Sequence, residues 1–157
     1  MTTEMVKSAV TGILKSEDSP WEKLQSICNL LREEMEDYHW VGYYFVDKDS
    51  TSELILGPFA GAATEHKKID FGEGVCGQAA NTLSVFVVDD VSLESNYLSC
   101  SPDVRSEFVA PVIREGKLVG ELDLDSRTIA AFREIDVELL NWVAEVTAEA
   151  VSSIAGF

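Results

Sequence analysis

The sequence predicts an α+β fold, an antiparallel sheet with the terminal helices packed on one of its faces. Two observations carry this reading. Helical periodicity is confined to the two ends of the chain, and the stretch between them consists of short β-branched and aromatic runs punctuated by turn residues. Elements segregated in this way pack as a sheet with helices gathered on one face. The chain has 157 residues, 46% of them hydrophobic, which is enough for one self-supporting core, so residues 1–157 are read as a single domain.

The first helix is expected over Thr3 to Lys15, with Met5 or Val6, Ala9, Val10, Ile13 and Leu14 on one side. The second starts at Ser19-Pro20-Trp21-Glu22, where a hydroxyl cap, a proline in the first turn and a glutamate three residues after the cap form a capping box. Its stripe of Leu24, Ile27, Cys28, Leu31 and Met35 carries it to about Glu36. The period then changes: Trp40 to Val46 and Ser52 to Leu56 read as a hairpin across Asp47 to Ser50. A third strand is expected over Thr64 to Ile69, then a glycine-rich turn and a short helix through Leu83, then a buried strand over Val85 to Val88. Residues 89–105 form a long polar loop, and such loops in compact domains tend to carry function. Glu107 to Ile113 and Lys117 to Asp125 flank a turn at 114–116, and one helix closes the chain from about Arg133 to Ile154.

Composition removes several functions. A net charge of −16 without any basic, aromatic-interleaved patch argues against nucleic acid as a partner. No apolar run approaches the roughly 20 residues of a membrane helix, and the N-terminus lacks the pattern of a signal peptide, so a cytoplasmic location is expected. Three cysteines and two histidines fall at no metal-ligand spacing, and no metal or cofactor is expected.

Individual thiol chemistry is left. Cys76 stands at the predicted start of the short helix, where the helix dipole would favour a thiolate and lower the thiol pKa, although a small buried residue is the plainer reading. Cys100, between serines in the polar loop, is less easily explained by packing. Cys28 belongs to the apolar stripe of the second helix and is read as core.

Strand alternation in Leu118 to Asp125 puts Leu118, Leu122 and Leu124 on one face and Glu121, Asp123 and Asp125 on the other. The acid face meets either solvent or a polar pocket, and Glu107 on the preceding strand lies in a run that is apolar on both faces. Carboxylates gathered in one cavity cannot all ionise cheaply, so one would keep its proton while its neighbours held a cation. Trp40, Tyr43 and Tyr44 are core residues or, for Trp40 and Tyr44, walls of a cage around a thioether or a cationic head.

In order along the chain, WVGYYF, GPFAG, GEGVCGQAA, VVDDV, NYLSC, SEFVAPVI, VGELDLDS and AFREID resemble the free methionine-R-sulfoxide reductases, enzymes built on the GAF fold. The resemblance runs from Trp40 to Asp136. It implies a GAF domain with a ligand pocket on the sheet face away from the helices. It also implies reduction of free methionine-R-sulfoxide, with Cys100 as nucleophile, Cys76 as its disulfide partner and a thioredoxin-like reductant. By the same resemblance Glu107, Asp123 and Asp125 bind the sulfoxide oxygen and the substrate ammonium, Glu107 and Asp125 being counted with the catalytic groups. A homodimer is left open. Some members carry a further cysteine ten positions before the one matched by Cys76, and His66 stands there instead. A two-cysteine cycle follows, with His66 beside Lys67 and Lys68 read as a surface residue. The rival reading is a GAF module that senses a small molecule or a redox change without turnover.

Overall fold

The computed structural model describes residues 1–98 and 102–157. Its elements are α1 (Thr3–Lys15), α2 (Pro20–Glu34), β1 (Trp40–Asp47), β2 (Ser50–Ala60), β3 (Lys68–Asp70), α3 (Gly74–Thr82), β4 (Phe86–Val88), β5 (Ser106–Arg114), β6 (Lys117–Ser126), α4 (Glu134–Val146) and α5 (Ala148–Ala155), with one turn of 3₁₀ helix at Val91–Leu93. Six strands form one antiparallel sheet in the order β3-β2-β1-β6-β5-β4. None of the described helices is long and apolar enough to cross a membrane.

The helices begin where their caps dictate. The Ser19 hydroxyl accepts from the Glu22 amide at 3.2 Å, and the Glu22 carboxylate accepts from the Ser19 amide at 3.1 Å, so two amides left over at the start of α2 are satisfied together. The apolar stripe of α2 then packs with Val6 and Val10 of α1 and with Leu139, Leu140 and Val143 of α4 against one face of the sheet. Val41, Tyr43 and Phe45 of β1 and Leu122 and Leu124 of β6 meet them there. Cys28 is fully buried in this layer and its thiol points at the Pro58 carbonyl, 3.7 Å away. Burial alone drives that thiol far above its usual pKa, so it stays protonated and inert.

Several expected elements differ. The closing helix is two helices, because Thr147 turns its hydroxyl back onto the Val143 carbonyl at 2.8 Å and receives the Tyr43 hydroxyl at 3.0 Å, which bends the chain between α4 and α5. The second strand is twice as long as expected and passes through Gly57 and Pro58, whereas the third is reduced to Lys68–Asp70. β4 pairs with β5 alone and is an edge strand, with Val85 and Val87 about two-fifths exposed, rather than a buried one. In β6 the pairing jumps from Val112–Gly120 to Ile113–Leu118, leaving Val119 as a bulge. Val119 therefore joins Leu122 and Leu124 on the helix face, and Leu118 turns to the opposite one.

That opposite face carries a second apolar layer, built from Trp40, Tyr44, Val46, Val88, Val109 and the buried side of α3. Between these layers the sheet presents its acids.

Candidate active site

Cross-strand register brings the site together. Trp40 on β1 is paired with Asp125 on β6, Asp125 with Glu107 on β5, and Glu107 with Val88 on β4. Two residues along, Gly42, Asp123, Val109 and Phe86 form the next row, and Tyr44, Glu121 and Pro111 the one after. Side chains in such rows stand on one face of the sheet. Glu107, Glu121, Asp123 and Asp125, spread over residues 107–125, are all buried on the same side.

α3 lays Cys76 over this floor. Its entry is a tight turn: Gly74 has φ +62°, and the Gly72 amide donates to the Gly77 carbonyl at 2.8 Å. A Cβ on Gly77 would stand 2.6 Å from the Asp70 carbonyl oxygen, so only glycine lets the first turn of the helix dock this closely. A side chain from the polar loop clamps the same turn. Asn96 accepts from the Gly74 amide at 2.9 Å and donates to the Gly72 carbonyl at 2.7 Å. Asn96 is thereby pinned to α3, and Leu98 closes one wall of the pocket.

The sulfur of Cys76 and one carboxylate oxygen each of Glu107 and Asp123 lie within 4.8 Å of one another, all buried. Spacing this tight can share a proton or surround a small cation, ammonium or metal alike, and nothing in the geometry commits the set to a metal. Around it stand Trp40, whose indole N–H donates to the Ala62 carbonyl at 2.9 Å, and Tyr44, whose hydroxyl donates to the His66 carbonyl at 2.8 Å. Their polar atoms are thus directed away and their ring surfaces form the walls. The enclosed space is about 20 Å³, room for roughly one water. Trp40 and Asp125 also border an adjoining chamber of about 340 Å³ lined by Arg32, His39 and Arg127.

The electrostatics reverse one expectation. Cys76 does stand in the first turn of a helix, yet its thiol is pushed well above the ordinary value, first by burial and then by Asp123, Glu121, Glu107 and Asp125. A helix dipole contributes partial charge over one turn, and here several carboxylates outweigh it. Burial likewise raises Asp123, with hydrogen bonds from Glu107 and Cys76 pulling it part of the way back. Glu121 is raised well above its usual range by burial and by Asp123. Neither oxygen of Glu121, nor Oδ1 of Asp123, has a hydrogen-bond partner among the described residues.

The sequence-derived residues therefore divide. Cys76, Glu107, Asp123, Asp125, Trp40 and Tyr44 line one pocket. Cys100 lies outside the described residues. Tyr43 points into the helix-side core. His66, expected at the surface, is half-buried and lines the pocket, because Tyr44 holds its carbonyl and Thr64 its amide. Glu121 belongs to the predicted acid face without being among the expected site residues, and Asn96 and the arginine chamber are not among them either. For Glu121 the signal was present in the alternation of VGELDLDS; for the others there was none.

The GAF domain profile matches residues 18–152. The chain is 32% identical over 125 residues to the free methionine-R-sulfoxide reductase of Escherichia coli, covering 80% of this chain and 73% of that protein. Among solved structures it is similar to the type II free methionine-R-sulfoxide reductase of Thermoplasma acidophilum, with a TM-score of 0.81, 34% identity and coverage of 85% and 93% of the two chains. It is also similar to the free methionine-R-sulfoxide reductase of Neisseria meningitidis in complex with its substrate, with a TM-score of 0.85, 33% identity and coverage of 94% and 86%. With a buried thiol over a carboxylate floor on the sheet face away from the terminal helices, the chain belongs to the GAF domain family, in the branch that contains the free methionine-R-sulfoxide reductases.

Proposed function

We propose that this protein reduces free methionine-R-sulfoxide to methionine, with Cys100 as nucleophile and Cys76 as resolving thiol. The observation that carries the reading is the clustering of the Cys76 sulfur with Glu107 and Asp123 inside a pocket walled by Trp40 and Tyr44.

In the first step the Cys100 thiolate attacks the sulfoxide sulfur while a protonated carboxyl group delivers its proton to the oxygen. Methionine leaves and Cys100 becomes a sulfenic acid. Glu107 and Asp123, joined by a hydrogen bond, hold that proton between them, and with Asp125 they take the substrate ammonium. Trp40 and Tyr44 receive the methyl-sulfur end. Arg32 and Arg127 in the adjoining chamber offer cations for the α-carboxylate, which a peptide-bound methionine sulfoxide lacks. Cys76 then condenses with the sulfenic acid, releasing water, and a thioredoxin-like dithiol reduces the disulfide.

The test is NADPH oxidation through thioredoxin and its reductase, with free R-sulfoxide, free S-sulfoxide and a peptide-bound sulfoxide compared. Turnover of the free R form alone is expected, and its loss in C100S. No turnover on any of the three would overturn the enzyme reading in favour of a sensor.

A further inference from the structure

His39 lines the chamber beside the pocket and is tied to three of its neighbours there. It is the last residue before β1, and its backbone amide donates to the Asp125 carbonyl at 3.1 Å. Its carbonyl accepts from Nε of Arg32 at 3.0 Å. Its ring nitrogen Nδ1 accepts from the backbone amide of Arg127 at 2.9 Å. Arg127 is the first residue beyond β6, where strand pairing has ended, so the imidazole takes the place of a ladder acceptor. An amide can only donate, so Nδ1 carries no proton and the ring is the neutral Nε2–H form. A second strap runs beside it, from Thr128 Oγ1 to Asp37 Oδ1 at 3.0 Å. Arg32 of α2 and Arg127 are thereby brought to one chamber. The chain has 28 acidic residues against 12 lysines and arginines, yet neither guanidinium forms an ion pair with a carboxylate among the described residues. Two cations left over in so acidic a chain are available to an anion from outside.

We propose that His39 is the positioning residue of the α-carboxylate subsite, holding Arg127 where, with Arg32, it selects free methionine sulfoxide over the peptide-bound form; the inference rests on the function proposed above. Asp125 borders both the pocket and the chamber. An α-amino acid carries its ammonium and its carboxylate on one carbon, so an ammonium held at Asp125 presents the carboxylate to the chamber. A guanidinium binds it through directional, charge-assisted hydrogen bonds whose strength depends on where the fork points. His39 sets that direction for Arg32 at Nε and for Arg127 through its backbone, and itself needs no contact with the substrate. An imidazole protonated on both nitrogens has no acceptor for the Arg127 amide, so the clamp opens when His39 gains its second proton. Burial and then Arg127 lower the His39 pKa, with Arg32 adding to the effect and Asp37 opposing it. Arg32 and Asp37 come from α2 and the turn after it, Asp125 and Arg127 from the end of β6, and Gly61 and Ala62 beyond β2 bring no charge. The clamp therefore holds at neutral pH and gives way in acid.

The test compares wild type, H39A and H39N on ligands with and without the carboxylate. Free methionine-R-sulfoxide and its α-carboxamide give kcat and KM; free methionine and methioninamide, which do not react, give Kd by calorimetry. Asparagine places Oδ1 at the covalent position of Nδ1 and does not titrate. In H39A, KM for the free sulfoxide and Kd for methionine are expected to rise about tenfold, with kcat and both amide constants within about twofold of wild type. H39N should recover most of that loss. Because His39 acts through Arg127, H39A/R127A should bind methionine no more weakly than R127A. Between about pH 8 and about pH 5, methionine binding should weaken more in wild type than in H39N, which carries the same pocket acids. Equal losses for the acid and amide ligands in H39A, additive losses with R127A, no recovery in H39N, or a wild type that binds methionine no better than methioninamide would overturn the proposal. Methionine binding does not require turnover, so binding without reduction sinks the enzyme reading alone, and reduction without preference for the carboxylate sinks this proposal alone.

Discussion

The indole of Trp40 lies across Gly42, two residues along the same strand, so closely that a Cβ at Gly42 would stand 2.4 Å from Cη2 and 2.7 Å from Cζ3. The ring also stacks on Phe59 at 5.6 Å with planes 17° apart. A glycine in the middle of a strand weakens it, and here the absent side chain makes room for a pocket wall. G42A must push the indole off this seat, since Phe59 is also 3.0 Å from the added carbon. A displacement of about 1 Å at a substrate wall costs on the order of 10²-fold in rate. We expect kcat/KM for free methionine-R-sulfoxide to fall by that order in G42A, with a shift in tryptophan fluorescence. Unchanged kinetics would mean that Trp40 is core packing only.

Cys28 provides the contrast among the thiols. It is fully buried in the helix-side core, and its thiol meets the Pro58 carbonyl at 3.7 Å. C28A should lower stability by about 1–2 kcal/mol through lost packing and leave turnover intact, as measured by denaturant unfolding alongside the coupled assay. A loss of turnover as large as that of C76S would contradict the division between structural and reactive thiols.

Glu121 also makes a thermodynamic prediction. Its folded-state pKa is raised above the ordinary 4.5, by burial first and Asp123 second. The folded protein therefore holds this proton more tightly than the unfolded chain does. Below about pH 4.5 both states are protonated and the residue carries no pH-linked penalty; as pH rises through and beyond that value, the unfolded state ionises freely and stability falls. E121Q removes this loss. Its melting temperature should exceed that of wild type at pH 8 and converge with it near pH 4, each kcal/mol of relief being worth about 2–4 °C. A variant less stable than wild type at pH 8 would mean that Glu121 is ionised and compensated.

How far these features can be read from sequence depends on how local their causes are. The start of α2 is legible because Ser19, Pro20 and Glu22 make it within four residues. The pocket acids are legible as a face of β6 because alternation is local too. The bend at Thr147 is not, since it depends on the Tyr43 hydroxyl arriving from 104 residues away. Nor is the bulge that turns Leu118 away from Leu122, which depends on register with β5. The Cys76 thiol illustrates the limit most clearly. Its helix position is local and suggests a low pKa, whereas the acids that raise it reach the site only through strand pairing.

Asn96 is a further long-range contact of this kind, joining the polar loop to the turn that presents Cys76. Its side chain accepts from the Gly74 amide and donates to the Gly72 carbonyl, while its backbone carbonyl accepts from Gln78 at 3.2 Å. N96A deletes the first two bonds and leaves the third. The Gly74 amide then lacks its acceptor at a partly buried position, at a cost of about 1–3 kcal/mol. Because the loop leads from Asn96 through Leu98 towards Cys100, the loss should fall on the encounter of the two thiols more than on substrate binding. In single turnover, methionine release should stay within about threefold of wild type while disulfide formation slows by tenfold or more. N96D supplies the same acceptor to the Gly74 amide but no donor to the Gly72 carbonyl, and it should recover part of the rate. Equal disulfide formation in N96A and wild type would show that the clamp holds the fold of the turn without serving the resolving step.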